Sequence, residues 1–522
     1  MIIIYHQHNK VTSIWNQALE KPVELPVFSL TESLFAVAKM FPCHLVVWCH
    51  LSQKNNLNIA GMADIFHHQK IMASYNCSPA SFFSGSIGYM DESPFITVNK
   101  SVPYATWQMS AWVGGIAAAV LTAVDAQMVK HSNFDYFLHS LAKLMMPQGL
   151  LCYSSPRLLL DPTATNKHSV TADTSLLFKF VKQHFRVRWT FILVLNFILY
   201  ERKVPMLAFW KSLFYRQIKI VDGILDSIIL VSSKKPIEDS TIDVIIPTIG
   251  RKKYLYDILC DFRQQTHLPN KIIIVEQNPL PDSATDLDYI GSEQWPFEIK
   301  HVFTHQTGAC NARNIALEMV DSAWVFLADD DIRIEANFLE KALLQTGLAG
   351  NPAVSFNCFQ EGEKQMFGRI LQWPTFGSGC SMVRSSAIES VRFNIGFEHG
   401  FGEDGDFGMQ LRNTGNDVLY LPEPAILHLK APVGGFRTQP TLEWHKEGIQ
   451  PKPSPTIMYY KLLHQTRQQL SGYKTILFFK FYRRQSIRNP IRYYKQFQRQ
   501  WERSLFWAKA LENRQSNSSS TK

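Results

Sequence analysis

Short apolar runs bounded by Pro, Gly and polar residues divide this chain into two regions of strand-like and helix-like segments. In the first, residues 2–4 and 45–48 read as buried strands, and the stretch from Glu32 to Met40 between them reads as an apolar helix. Residues 114–121, dense in Gly and Ala, read as a small-residue helix packed closely on a neighbour. From residue 241 the alternation becomes regular. A strand over 241–248 meets Pro247, a helix follows over 253–265, and strands follow at 271–276 and 301–304. A helix over 308–320 then leads into a strand over 324–328. Strand and helix alternating at this spacing predict βαβ units and a mainly parallel sheet. Further on, 406–413 reads as a helix, and 419–422 and 425–428 read as strands.

Two other segments mix aromatic and basic residues. In 177–219, residues such as Phe191, Trp210 and Phe214 interleave with Arg188, Arg202, Lys203 and Lys211, and Glu201 is the one acid. The uninterrupted apolar run there, Trp189 to Tyr200, has roughly 12 residues, short of the ~20 a spanning helix needs. The pattern fits an amphipathic helix pair in a lipid headgroup layer or a hairpin packed on its own protein. The second segment, 456–510, is a basic aromatic helical tail, and residues 516–522 read as disordered.

The expected organisation is therefore an α/β domain over 1–160, a basic helical segment and linker over 161–235, a catalytic α/β domain over 241–440, and the tail. The net charge of +9 is concentrated in the two aromatic segments, which suggests an anionic partner surface, membrane or nucleic acid. The eight cysteines are scattered with no CxxC pair, so a reduced setting is expected and a zinc site is not. The N-terminus lacks a basic stretch followed by a long apolar run, so no signal peptide is read there.

The chemistry concentrates in 241–440. Asp329, Asp330 and Asp331 follow directly on an apolar strand, where an open α/β sheet places its ligands. Three adjacent carboxylates repel unless a cation or hydrogen-bond donors compensate them; a helix-capping acidic turn is the plainer alternative. Thr248 and Arg251 follow the first strand of this region and Glu276 ends the second, and the stretch from Gly308 through Asn311 to Arg313 opens a helix with small residues and an Arg, suited to a diphosphate. Glu403-Asp404 begins a helix as a pair that can raise one another's pKa, and His428 ends a strand.

In this order the motifs resemble the family 2 glycosyltransferases of the GT-A fold, and most closely their bacterial galactofuranosyltransferase-like branch. The resemblance implies that Asp329, Asp330 and Asp331 are the DxD motif, holding the donor ribose and a divalent metal, Mn²⁺ or Mg²⁺. It implies that Asp404, with Glu403, is the base that deprotonates the acceptor hydroxyl, and that His428, 24 residues after Asp404, completes the metal shell beside Asp329 and Asp331. Pro247, Thr248, Arg251, Glu276, Gly308, Asn311, Arg313, Asp329 and Asp330 would hold the donor nucleotide, and Trp373 and Asp406 would meet the acceptor.

The expected enzyme is an inverting, hexosyl-type transferase. It would move a sugar from a nucleotide-sugar, a UDP-sugar first, to a glycan or lipid-linked acceptor in bacterial surface-polysaccharide synthesis. It would work from the cytoplasm, in peripheral contact with the anionic inner membrane face and without nucleic acid. Glu276 stands where the family usually has Asp, and the Gln-x-x-Arg-Trp motif of processive synthases is absent. Residues 1–160 carry no second set of these motifs and fit a degenerate glycosyltransferase-like domain. The rival readings are a nucleotidyltransferase and an inactive scaffold that binds membrane or nucleic acid.

Overall fold

The computed structural model describes residues 1–522 apart from 27–28, 129–130, 164–169, 235–236, 366, 433–440 and 520–522, with side chains described through residue 513. The chain forms two compact units, residues 1–234 with 465–481, and residues 235–464 with 482–522.

The first unit is built on one sheet of eight strands. These are β1 (Ile2–Gln7), β2 (Lys10–Asn16), β3 (Lys21–Pro22), β4 (Leu45–His50), β5 (Ile71–Tyr75), β6 (Tyr104–Ala105), β7 (Val113–Ala117) and β8 (Leu151–Ser154), in the order β3-β2-β1-β4-β7-β5-β8-β6. Ile2, Ile3 and Ile4 are fully buried because both sheet faces are covered. The helix Leu30–Met40 starts at a capping box in which Ser29 and Glu32 satisfy one another's backbone N–H groups.

The small-residue run expected as a helix is strand in its first half and helix in its second. Val113–Ala117 is β7, antiparallel to both β4 and β5, and helix begins only at Ala118. The glycines serve this central strand: a Cβ on Gly114 would sit 2.3 Å from the Trp48 ring, and one on Gly115 would sit 2.8 Å from Phe66. Close approach to large side chains, not helix contact, explains the Gly-Gly pair.

The second unit carries nine strands. They are β9 (Ile242–Thr248), β10 (Lys271–Gln277), β11 (Glu298–Thr304), β12 (Trp324–Ala328), β13 (Ile332–Arg333), β14 (Ala353–Phe359), β15 (Leu371–Gln372), β16 (Cys380–Arg384) and β17 (Leu419–His428). The order is β11-β10-β9-β12-β16-β14-β17-β13, with β15 beside β17. The first four strands are parallel, as the alternating pattern predicts, and β16 is antiparallel to both its neighbours. The two strands expected at 419–422 and 425–428 are one strand, β17, whose register against β14 shifts between Phe356 and Cys358.

The basic aromatic tail is divided between the units. Helix Arg467–Tyr482 lies mostly in the first, whereas Pro455–His464 and Pro490–Ser519 belong to the second. In the last helix Tyr493, Phe497, Trp501 and Ala508 form a buried stripe, and Arg492, Lys495 and Arg499 face outward. Helix continues through Ser519, into the stretch expected to be disordered, and 520–522 lie outside the described residues.

Candidate active site

The carboxyl ends of β9 and β12 open into a cleft of about 370 Å³ in the second unit, a size that suits a small ligand. Asp329, Asp330 and Asp331 leave β12 there, and their mutual repulsion is relieved by donors converging from three elements. Thr248 Oγ1 donates to Asp330 Oδ2 at 2.7 Å, and Arg251 Nη1 donates to Asp330 Oδ1 at 2.6 Å. The same guanidinium lies 3.3 Å from Asp331 Oδ2. Arg313 Nη2, from the helix Ala309–Leu317, donates to Asp329 Oδ1 at 3.0 Å. His428 Nε2, at the end of β17, lies 3.3 Å from Asp331 Oδ1, and Ala431 N donates to Asp331 Oδ2.

The three acids are held in different states. Burial pushes the Asp330 carboxyl up to about 6 despite Arg251. For Asp331 burial acts in the same direction, but the His428 bond and the Arg251 charge outweigh it and hold the carboxyl below the usual range. His428 is raised in turn, chiefly by its bond to Asp331. One atom each from Asp329, Asp331 and His428 lie within 4.8 Å of one another, and two carboxylates with an imidazole form a donor set that suits a divalent cation. Gly379 makes room for this group, since a Cβ there would sit 2.1 Å from Asp329 Oδ2.

Across the cleft, the helix Glu403–Asn413 presents Glu403 and Asp404 from its first turn. Ser378 fixes one oxygen of Asp404, donating to Oδ1 from its backbone N at 3.1 Å and from Oγ at 2.5 Å. Burial raises the Asp404 pKa, and burial with the neighbouring Asp404 charge raises Glu403 to about 7. Among the residues lining the cleft, Glu403 Oε2 and Arg313 Nε are buried polar atoms with no partner. Buried groups are rarely left unsatisfied, so atoms of this kind around a cleft fit a site that a ligand completes.

Residues 243–389 match the family description "Glycosyl transferase family 2". This segment is a family 2 glycosyltransferase domain. No curated protein matches the chain. Among solved structures, it is similar to the crystal structure of S. aureus TarS 1-349 at 17% identity and a TM-score of 0.30, over 36% of this chain and 60% of that one. It is also similar to S. aureus TarS 1-349 in complex with UDP-GlcNAc, at 16% identity and a TM-score of 0.34, over 47% of this chain and 73% of that one. The chain thus spans less than two thirds of the first of these structures and 43% of the fuller S. aureus TarS structure.

The family match ends before Asp404 and His428, yet the helix Glu403–Asn413 and the strand β17 bring them to the acids that β12 supplies. Of the residues singled out in the sequence, the cleft gathers Pro247, Thr248, Arg251, Gly308, Arg313, Asp329, Asp330, Asp331, Glu403, Asp404 and His428. Four lie elsewhere. Glu276 points to the opposite side of β10, where it accepts from Asp286 N and pairs with His301 Nε2 at 2.9 Å. Strand alternation gives the cleft Gln277 instead. Asn311 contributes a backbone N–H to Glu398 Oε2. Trp373 packs on Tyr420 and Phe367, and Asp406 is buried against His464 Nε2 at 2.6 Å and Gln410 Nε2 at 2.7 Å.

Gln277, Ser378, Gly379 and Glu398 form part of the site without having been singled out in the sequence. Gln277 Oε1 accepts from Gly308 N at 2.5 Å, and Glu398 takes the N–H groups of Cys310 and Asn311 at the next helix start. The φ of +142° at Gly308, with Glu398 2.2 Å from where a Cβ would stand, leaves that position to glycine. Gln277 was legible from the period of β10; Glu398 sits in a loop with no pattern that marks it.

Proposed function

We propose that the second unit is a metal-dependent, inverting glycosyltransferase that moves a sugar from a nucleotide-sugar, a UDP-sugar first, to a hydroxyl acceptor. The observation that carries this reading is the placement of the Asp329, Asp331 and His428 group opposite Asp404 in one cleft of a family 2 domain. Asp329, Asp331 and His428 would hold Mn²⁺ or Mg²⁺. Bound there, the cation would neutralise charge on the departing diphosphate.

The chain's own residues do the rest. Arg251 and Thr248 orient Asp330 toward the nucleoside side of the cleft, and Arg313, buried beside Asp329, adds positive charge near the phosphates. Ser378 fixes Asp404 through Oδ1 and leaves Oδ2 to take the proton of the acceptor hydroxyl as it attacks the anomeric carbon. Attack from the face opposite the leaving group inverts the configuration. Glu403, held near 7 by burial and by Asp404, stays largely protonated in slightly acidic solution, which lets Asp404 carry the negative charge.

The acceptor we favour is a glycan or lipid-linked sugar at an anionic membrane face, in surface-polysaccharide synthesis. Among the described residues no helix is long and apolar enough to cross a membrane. Support for a peripheral contact comes from the helices Arg188–Asn196 and Met206–Leu213 of the first unit. Leu193 and Phe209 are buried there, whereas Phe191, Leu207 and Trp210, with Phe214 just after, are exposed, Phe214 at 88%. Arg188, Arg202, Lys203, Lys211 and Arg216 surround them, and cations beside exposed aromatics suit an anionic headgroup layer. The test of the function is release of nucleotide from a panel of nucleotide-sugars with Mn²⁺, with Asp404→Asn beside the wild type. Absence of any nucleotide-sugar binding would refute the enzyme reading.

A further inference from the structure

The two units repeat one sheet plan. Taken from the first strand of each, the path is β1-β4-β7-β5-β8-β6 in the first and β9-β12-β16-β14-β17-β13 in the second. The pairing senses along both paths are parallel, antiparallel, antiparallel, parallel and antiparallel. Outside this path the sheets differ, since β2 is antiparallel to β1 whereas β10 is parallel to β9.

Registers and hydrogen bonds equate individual residues. Cys49 pairs with Val113 as Ala328 pairs with Cys380. One residue further on, His50 N donates to Trp112 O at 2.7 Å, as Asp329 N donates to Gly379 O at 3.2 Å. One residue before Trp112, Ala111 N donates to Asp135 Oδ1 at 2.8 Å, as Ser378 N donates to Asp404 Oδ1 at 3.1 Å. Asp135 is the second residue of the helix Phe134–Met145, and Asp404 is the second residue of Glu403–Asn413. The position of the base is therefore kept as Asp135, and the acid triplet is replaced by His50, Leu51 and Ser52.

The replacement changes what this edge can bind. Among the described residues, the three-ligand group found is the one in the second unit, and His50, Leu51 and Ser52 put no carboxylate at the matching edge of the first. What stands at the first edge is a half-buried carboxylate, an aromatic ring and an imidazole. The Trp112 ring lies 4.6 Å from that of His50, and His6 lies 5.5 Å from His50 and bonds Ala111 O through Nε2. Ser52 N donates to His50 Nδ1, which leaves the His50 proton on Nε2 as a donor. His6 Nδ1 is buried with no partner. A ring face, an anionic acceptor and a neutral donor together match the hydroxyls and C–H face of a sugar.

We propose that this end of the first sheet is a second sugar site that takes a neutral glycan without metal, stacking it on Trp112 and holding its hydroxyls with Asp135 and His50. The inference rests on the sheet equivalence and not on the donor chemistry proposed for the second unit.

The test uses the full chain carrying Asp329→Asn and Asp331→Asn, which silences the metal group of the second unit. Saturation-transfer NMR with a panel of neutral gluco-, galacto- and chito-oligosaccharides is expected to show binding. Affinity is expected to fall about tenfold in both Trp112→Ala and Asp135→Asn. Calorimetry of the wild-type chain with Mn²⁺ and UDP is expected to give one site, and Trp112→Ala and Asp135→Asn are expected to keep the wild-type thermal unfolding profile as proof of folding. No transfer to any oligosaccharide would overturn the proposal, as would transfer that both variants leave unchanged. A metal-dependent UDP site that survives in the silenced chain and disappears in Asp135→Asn would overturn it in favour of a second nucleotide site.

Discussion

Replacing Gly379 by Ala separates the proposed metal group from the fold that carries it. The new Cβ would stand 2.1 Å from Asp329 Oδ2 and 2.3 Å from its Cγ. Ordinary contact between such atoms is about 3.5 Å, so the carboxylate must retreat by more than ~1 Å. The backbone has no reason to move, because the obstructing atoms are the far end of a side chain and Gly379 is not among the residues with a left-handed φ. A shift of that size breaks the 3.0 Å bond from Arg313 Nη2 and withdraws one of the three cation ligands. Misplacing a ligand or its support typically costs 10–100-fold in metal affinity or activity, so the Mn²⁺ concentration giving half-maximal turnover should rise by about that factor. The assay is nucleotide release across a Mn²⁺ titration, with thermal unfolding recorded alongside. Gly291→Ala, with nothing within 4 Å of its Cβ, should match wild type in both. A Gly379→Ala chain that keeps the wild-type Mn²⁺ response would refute the placement of Asp329 in the metal group.

Three further outcomes follow from the geometry of the cleft and its surroundings, and a fourth from the exposed aromatics. Because a base must be ionised to act, and burial raises the Asp404 pKa, kcat/KM should fall as pH drops through an apparent value above the ordinary carboxylate range; a rate flat below pH 4 would contradict this. Asp404→Asn should lower turnover by about 10²–10⁴-fold while UDP affinity, read by calorimetry, stays unchanged. Arg412→Ala should lower unfolding free energy by about 3 kcal/mol in chemical denaturation, since Arg412 donates to the carbonyls of Trp373, Pro374 and Gly408 and lies 3.6 Å from buried Asp417. Trp210→Ser with Phe214→Ser should reduce co-sedimentation with anionic vesicles several-fold and leave neutral vesicles unaffected, and equal binding to both lipids would remove the membrane contact from the reading.

The second unit was legible in the sequence because its elements obey local rules. The runs ending at Thr248 and Ala328 are apolar, buried on both faces and stopped by polar residues, so strand position and acid position could be read together. Helix starts at Lys252 and Ala309 followed the same logic. What escaped was set by tertiary contact. Gly114-Gly115 has helix-compatible neighbours, and pairing with β4 and β5 makes it a strand, with Trp48 and Phe66 filling the space a Cβ would need. Trp373 and Asp406 stood near the motif in sequence, but one packs on aromatic partners and the other answers His464, 58 residues away. The tail illustrates the same limit: its basic and aromatic residues alternate as a membrane helix would, yet Tyr493, Phe497 and Trp501 turn inward along a buried stripe.

Comparison of the two sheets also separates what the fold needs from what the chemistry needs. A carboxylate in the first helical turn that accepts the backbone N–H just before the antiparallel strand occurs in both units, as Asp135 and Asp404. A feature held in both is explained in part by the latch it forms between helix and strand. Acids at the end of the fourth strand occur in one unit alone, where donors from Thr248, Arg251, Arg313 and His428 converge on them. In the other unit His50, Leu51 and Ser52 stand in those places and the strand forms equally well. The strand therefore does not require the triplet to form, and three adjacent carboxylates repel one another there except as the converging donors compensate them. Under the proposed function a cationic ligand would account for their presence in the second unit, so loss of the Mn²⁺ response with folding kept is the readout that tests each substitution around Asp329.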